Sequence, residues 1–124
     1  KNICLGLAHI HARSVLHRDI KLDNVLLDTD GGVKHAILES ENFEERLGCK
    51  GIVGTPAYIA PEIISESGYT GFSVDIWSLG VLLYAMLIGT VPFKATNMKD
   101  LHALINKGEF VFPHKVSEEA EDLI

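Results

Sequence analysis

The sequence predicts an α+β fold, mainly α-helical with short β-hairpins, and three stretches carry that prediction. Residues 2–12 place Ile3, Leu7 and Ile10 at helical spacing. Residues 76–93 run without a charged side chain. Between them, Val25-Leu26-Leu27 and an extended piece from Val33 to Leu38 flank Asp28-Thr29-Asp30-Gly31-Gly32, the turn chemistry of a hairpin.

Taken in order, Asn2 to Ala12 is an amphipathic helix, its stripe widened by Leu5 and Ala8. Arg13-Ser14 breaks the period, and Val15-Leu16 reads as a short buried strand. His17-Arg18-Asp19-Ile20-Lys21-Leu22-Asp23-Asn24 then crowds charged and amide heads into eight residues. That density belongs to a loop held on a rigid base, where chemistry is usually done. After the hairpin, residues 40–54 are polar and glycine-bearing and read as a mobile loop. The uncharged run that follows approaches membrane-span length, but Asp75 stands before it, and Gly89 and Pro92 leave only Ile76 to Ile88 as continuous helix. At about 1.5 Å per residue that helix is too short for a bilayer. It is predicted as a central helix buried all round, with Ser73 as N-cap. Asn97 to Lys107 is a further helix capped by Asn97, with Asp100 at the third position, Gly108 at its end and Leu101, Leu104 and Ile105 facing inward. Phe110 to Pro113 is an extended connector, and Ser117-Glu118-Glu119 opens a last helix with acids at its positive end.

The 124 residues are 47% hydrophobic and 23% charged, which fits one globular domain with a core. The chain starts at Lys1 and stops at Ile124 within an apolar pattern, and is read as a piece truncated at both ends. A net charge of −6 argues against nucleic acid and favours basic peptide partners. Cys4 and Cys49 have neither disulfide-framework nor zinc spacing, so a reducing, cytoplasmic setting fits best. His9 and His11, two apart on a helix, do not share a face and are expected to be solvated or capping rather than metal ligands.

His17-Arg18-Asp19, followed by Lys21 and Asn24, resembles the catalytic loop of eukaryotic serine/threonine protein kinases. Gly54-Thr55-Pro56-Ala57-Tyr58-Ile59-Ala60-Pro61-Glu62 resembles the segment that closes the activation loop in the same family, and Asp75-Ile76-Trp77-Ser78-Leu79-Gly80 its central helix. The resemblance covers nearly the whole chain and implies the large lobe of a kinase fold, with the small lobe absent. It implies ATP and Mg2+ as cofactors, and a protein or peptide substrate with no membrane or nucleic-acid partner. In that frame Asp19 accepts or orients the substrate hydroxyl proton, Lys21 steadies the transferred phosphoryl group, and Asn24 holds magnesium. Leu26 lies under the adenine, and Thr55 touches Asp19 and Lys21. Arg18 is the phosphate clamp of the activation loop, Glu62 pairs with an arginine of a later helix, Asp23 lies beside the peptide path, and Asp75 bonds the catalytic-loop backbone.

The chain departs from the family at one decisive place. Ile37-Leu38-Glu39 stands where the family has Asp-Phe-Gly, so Ile37 replaces the principal magnesium carboxylate. Magnesium needs oxygen ligands, and an alkyl group offers none. Asp28, Asp30 and the displaced Glu39 are poor substitutes. Nor does any Ser, Thr or Tyr occur between Glu41 and Gly54, which removes the usual activating phosphosite and leaves Glu44 or Glu45 to pair with Arg18. Tyr84 is followed by Ala85 rather than by the glutamate common in kinases that prefer arginine-rich substrates. Two readings follow, an impaired kinase and a pseudokinase scaffold. A sequence error across residues 35–50 gives the same pattern, and an independent cDNA clone separates it.

Overall fold

The predicted helices, and strands within the described part of the predicted extended pieces, are present in a computed structural model, which describes residues 1–27, 29, 33–35, 41–42, 55–65 and 71–124. Helix α1 spans Asn2–His11, and β1 is Val15–Leu16. A 3-10 turn at Leu22–Asn24 leads into β2, Val25–Leu27, which pairs antiparallel with β3, Val33–His35. The register sets Val25 opposite His35 and Leu27 opposite Val33. A second 3-10 turn at Pro56–Tyr58 precedes the short helix α2, Pro61–Ile64. Helices α3, α4 and α5 follow at Ser73–Ile88, Met98–Lys107 and Glu118–Leu123.

The main core gathers Leu7 of α1, Ile20 of the polar loop, Tyr58, Val81 and Leu82 of α3, Phe93, and Leu101 and Ile105 of α4. A smaller cluster joins Leu16, Ile59, Ala60, Ile63 and Val74. Helix α3 is therefore the shared wall. Its N-terminal end meets the second cluster and its middle meets the first, so everything docked on it is placed relative to everything else.

Several expectations are corrected. Leu5 does not widen the α1 stripe and is 61% exposed. At about 100° per residue it lies roughly 200° from Ile3, on the opposite face. Leu104, at the edge of the face that buries Leu101 and Ile105, is 37% exposed. Ser73 is not the cap of α3. It is the first helical residue, Phe72 holds the cap position without a side-chain bond, and Ser73 Oγ donates instead to Glu62 Oε1 at 3.0 Å. Nor is α3 buried all round, since Ile76 is 56% exposed and Met86 46%. One flank is covered by the elements just named. The other, with Ile76, Leu83 and Met86, lines an open apolar groove that also includes Ile3, Phe110 and Leu123. Residues 41–42, read as part of a loop, form a two-residue strand β4, Glu41–Asn42, antiparallel to β1.

The other predicted helix ends follow their expected chemistry. Asn97 Oδ1 accepts from Asp100 N at 2.9 Å, and Gly108 closes α4 in the left-handed region at φ +68°. Gly89 ends α3 the same way at φ +82°. Ser117 accepts from Ala120 N at the start of α5. The connector from Phe110 to Pro113 is held by Tyr84, whose hydroxyl donates to Val111 O at 2.7 Å while its ring packs against Phe110 and Phe112. No described helix is long and apolar enough to cross a membrane.

Candidate active site

The polar loop of residues 17–24 is more deeply set than its composition suggests. His17 is 2% exposed, Ile20 1% and Asn24 3%. Polar groups tolerate such burial when they are hydrogen-bonded; α3 bonds the loop backbone at His17 and Arg18, and Asn24 bonds Asp19 within the loop. The Asp75 carboxylate, fully buried, accepts from His17 N at 2.9 Å and from Arg18 N at 2.8 Å. One helical turn on, Ser78 Oγ donates to Tyr58 O at 2.9 Å and so ties the 3-10 turn after Thr55 to the same helix. Because Asp75 and Ser78 are three residues apart, they share a face. That face sets the two segments against each other.

Four of the residues singled out in the sequence meet there. Lys21 Nζ lies 2.8 Å from Asp19 Oδ2 and donates to Thr55 Oγ1 at 3.0 Å. Thr55 Oγ1 donates in turn to Asp19 Oδ1 at 3.2 Å. Asn24 Nδ2 donates to Asp19 O at 2.7 Å and to Asp19 Oδ2 at 3.1 Å. Both oxygens of Asp19 are thus held, the first by a hydroxyl and the second by an ammonium and an amide. Partial burial alone would raise the Asp19 carboxyl, but the bonds from Lys21, Asn24 and Thr55 outweigh it and hold the group below its usual range. The hydrogen bond to Asp19 pushes Lys21 the other way, upward.

Such a cluster has a definite chemical capacity. An ionised carboxylate at a partly exposed surface can orient a hydroxyl and take its proton, and the adjacent ammonium can steady an anion at the same place. Side-chain exposures of 23% for Lys21 and 29% for Asp19 leave the pair open to an incoming group.

Leu26 follows the cluster on β2 and is 51% exposed, an alkyl surface available to a flat ring. Asp23 is exposed beside Lys21. Ile37, Leu38 and Glu39, together with Asp28, Asp30, Glu44, Glu45 and Cys49, lie outside the described residues. Sequence reasoning missed His11. Expected to be solvated or to cap a helix, it lies 2.7 Å from Asp75 Oδ2 and stacks on Phe72 with ring centroids 4.3 Å apart. No local signal could find a contact between residues 64 positions apart.

The chain matches the family model described as "Protein kinase domain" over residues 1–124. It belongs to the eukaryotic serine/threonine protein kinase family. Among curated relatives of this kinase chain, CBL-interacting serine/threonine-protein kinase 15 of Arabidopsis thaliana is 40% identical over 118 residues, covering 92% of this chain and 28% of the relative. CBL-interacting protein kinase 17 of Oryza sativa subsp. japonica is 41% identical over 123 residues, covering 96% of this chain and 27% of the relative. CBL-interacting protein kinase 3 of the same rice is 40% identical over 120 residues, covering 94% and 27%. The chain thus spans little more than a quarter of the length of these kinases.

The family uses ATP and Mg2+, and the residues present fit the metal incompletely. Both Asn24 amide bonds described above are made by its nitrogen, which leaves the side-chain oxygen as one candidate ligand. Among the described residues no group of three His, Cys, Asp or Glu could hold a metal ion. Ile37, which the family resemblance sets at the place of the principal carboxylate, lies outside the described residues. A single amide oxygen is a poor magnesium site, since a hard cation wants charged oxygen ligands.

Proposed function

We propose that Asp19, Lys21, Asn24 and Thr55 form the phosphoryl-transfer site of a serine/threonine kinase domain, directed at a protein or peptide Ser/Thr hydroxyl, and that its rate is impaired by Ile37. The Asp19–Lys21–Thr55 triangle carries this reading, because it joins a proton acceptor, a cation and a hydroxyl from two separate segments at 2.8–3.2 Å. Asp19 receives or orients the substrate hydroxyl proton. Lys21 steadies the charge on the phosphoryl oxygens. Thr55 holds both in register, and Asn24 keeps Asp19 in place while offering its oxygen to the metal. Residues 1–124 act as large-lobe elements, with Leu26 under the adenine and the other wall of the nucleotide cleft supplied from elsewhere in the protein. A cytoplasmic setting accords with the free, exposed Cys4.

Phosphoryl transfer depends on positioning and charge stabilisation more than on covalent work by the protein. Losing the principal metal carboxylate should therefore lower the rate by roughly two to four powers of ten. The test compares magnesium-dependent phosphorylation of Ser/Thr peptides by the full-length protein and its Ile37→Asp variant. The variant is expected to gain at least about a hundredfold, and adding Asp19→Asn should abolish the gain. A full kinase rate from the unaltered protein would sink the impairment. Ile37 also favours a second reading, a pseudokinase that works as a binding scaffold. It predicts no ATP binding in a magnesium-dependent titration and no gain from Ile37→Asp.

A further inference from the structure

We propose that Ser78 is a positioning residue: its hydroxyl fixes the turn that carries Thr55 and so sets Thr55 at hydrogen-bonding distance from Asp19 and Lys21. The reason lies in one carbonyl. Tyr58 is buried and closes the 3-10 turn Pro56–Tyr58. A further 3-10 bond to Tyr58 O would come from three residues on, where Pro61 has no N–H to give. A buried carbonyl without a donor is costly. Among the described residues the donor to Tyr58 O is Ser78 Oγ, at 2.9 Å.

Ser78 has one hydroxyl proton and two carbonyls within reach, Tyr58 O and, at 3.0 Å, Val74 O. Val74 O lies in the α3 ladder, where the amide four residues on serves it. Tyr58 O has no such supply, so it is the acceptor that needs the proton. From there the bonds run on to the cluster. Tyr58 N donates to Thr55 O at 2.9 Å, and Thr55 Oγ1 accepts from Lys21 Nζ and donates to Asp19 Oδ1. Packing does not fill the space between these parts. A small cavity lined by Arg18, Asp19, Thr55, Tyr58, Val74 and Ser78 lies where the loop, the turn and α3 meet. Where side chains leave a gap, a directional bond decides the spacing.

The inference rests on the proposed function only for what Thr55 and Asp19 do. Its test reads geometry, so the two can fail separately. In the full-length protein, Ser78→Ala removes the hydroxyl while keeping a good helix former, and Ser78→Thr keeps the hydroxyl. Hydrogen–deuterium exchange at the Tyr58 amide should be about tenfold faster in Ser78→Ala, with α3 amides within about twofold of the original, and near the original rate in Ser78→Thr. The Asp19 carboxyl, followed by carbon-detected NMR, should titrate at higher pH in Ser78→Ala and stay nearly unmoved in Ser78→Thr. Because Ser78 acts through Thr55, adding Thr55→Val to Ser78→Ala should move Asp19 by less than Thr55→Val moves it in the original protein. An unmoved Asp19 in Ser78→Ala would overturn the proposal, whatever the exchange at Tyr58. So would equal effects of Ala and Thr, or shifts that add in full, because each assigns Ser78 to the packing of α3 alone. The expected pattern in a protein without kinase activity would leave the positioning role standing and retire the function.

Discussion

Thr55 Oγ1 stands 3.2 Å from Asp19 Oδ1, a hydrogen bond between segments 36 residues apart in sequence. The same hydroxyl accepts from Lys21 Nζ at 3.0 Å, so one oxygen reports the registry of the whole cluster.

Replacing Thr55 with Val keeps the branched shape and deletes both bonds. The Asp19 carboxyl should then titrate at higher pH, because one of the groups that favour its ionised form is gone. Thr55→Ser should leave it nearly unmoved. Carbon-detected NMR titration of the Asp19 carboxyl distinguishes the two, and an unshifted Thr55→Val would show that Lys21 and Asn24 hold the group alone.

The pH dependence of the pair has a definite sign at each end. Asp19 is depressed in the folded chain, so its stabilisation is present above the ordinary carboxylate value of about 3.9 and is lost as pH falls through the lower folded value. Lys21 is raised, so its contribution is present below the ordinary value of about 10.4 and is lost as pH climbs through the higher folded one. Both side chains are partly exposed, and their pairing should be worth about 0–1 kcal/mol. A double-mutant cycle of Asp19→Asn and Lys21→Met should show that coupling at pH 7 and its disappearance at pH 2.

Asp75 should behave differently, as a fully buried acceptor. Asp75→Asn puts an amide N–H2 against the His17 and Arg18 amides, leaving at least one of them opposed. The expected loss is about 2–3 kcal/mol in urea unfolding with an unchanged slope. A loss below about 0.5 kcal/mol would mean that the backbone at His17 and Arg18 finds other acceptors.

The ends of α4 offer two local tests. Asn97→Ala removes the acceptor of the Asp100 N–H and should cost about 1 kcal/mol. Gly108→Ala should cost about 1–2 kcal/mol from backbone strain at φ +68°, since a Cβ there would meet no described atom within 4 Å. Thermal unfolding of the single and double variants checks both costs and their additivity.

Much of this was legible in the chain because it is written locally. Ile3, Leu7 and Ile10 share a face at helical spacing, Asn97 and Asp100 form a cap, residues 25–27 and 33–35 pair as a hairpin, and His17 to Asn24 carries the family's catalytic pattern. These signals need no knowledge of any distant residue. The Ile37-Leu38-Glu39 stretch on which the proposed impairment rests is likewise read from the sequence alone. Which flank of α3 stays open, why Leu5 and Leu104 face outward, and why a lone histidine at the end of α1 ends up on Asp75 were decided by tertiary structure. Each depends on which elements cross which face, and contacts between residues dozens of positions apart leave no periodic trace. The sequence determined which polar groups the loop carries, and the packing of two distant segments on α3 determined that Thr55 meets Asp19 and Lys21.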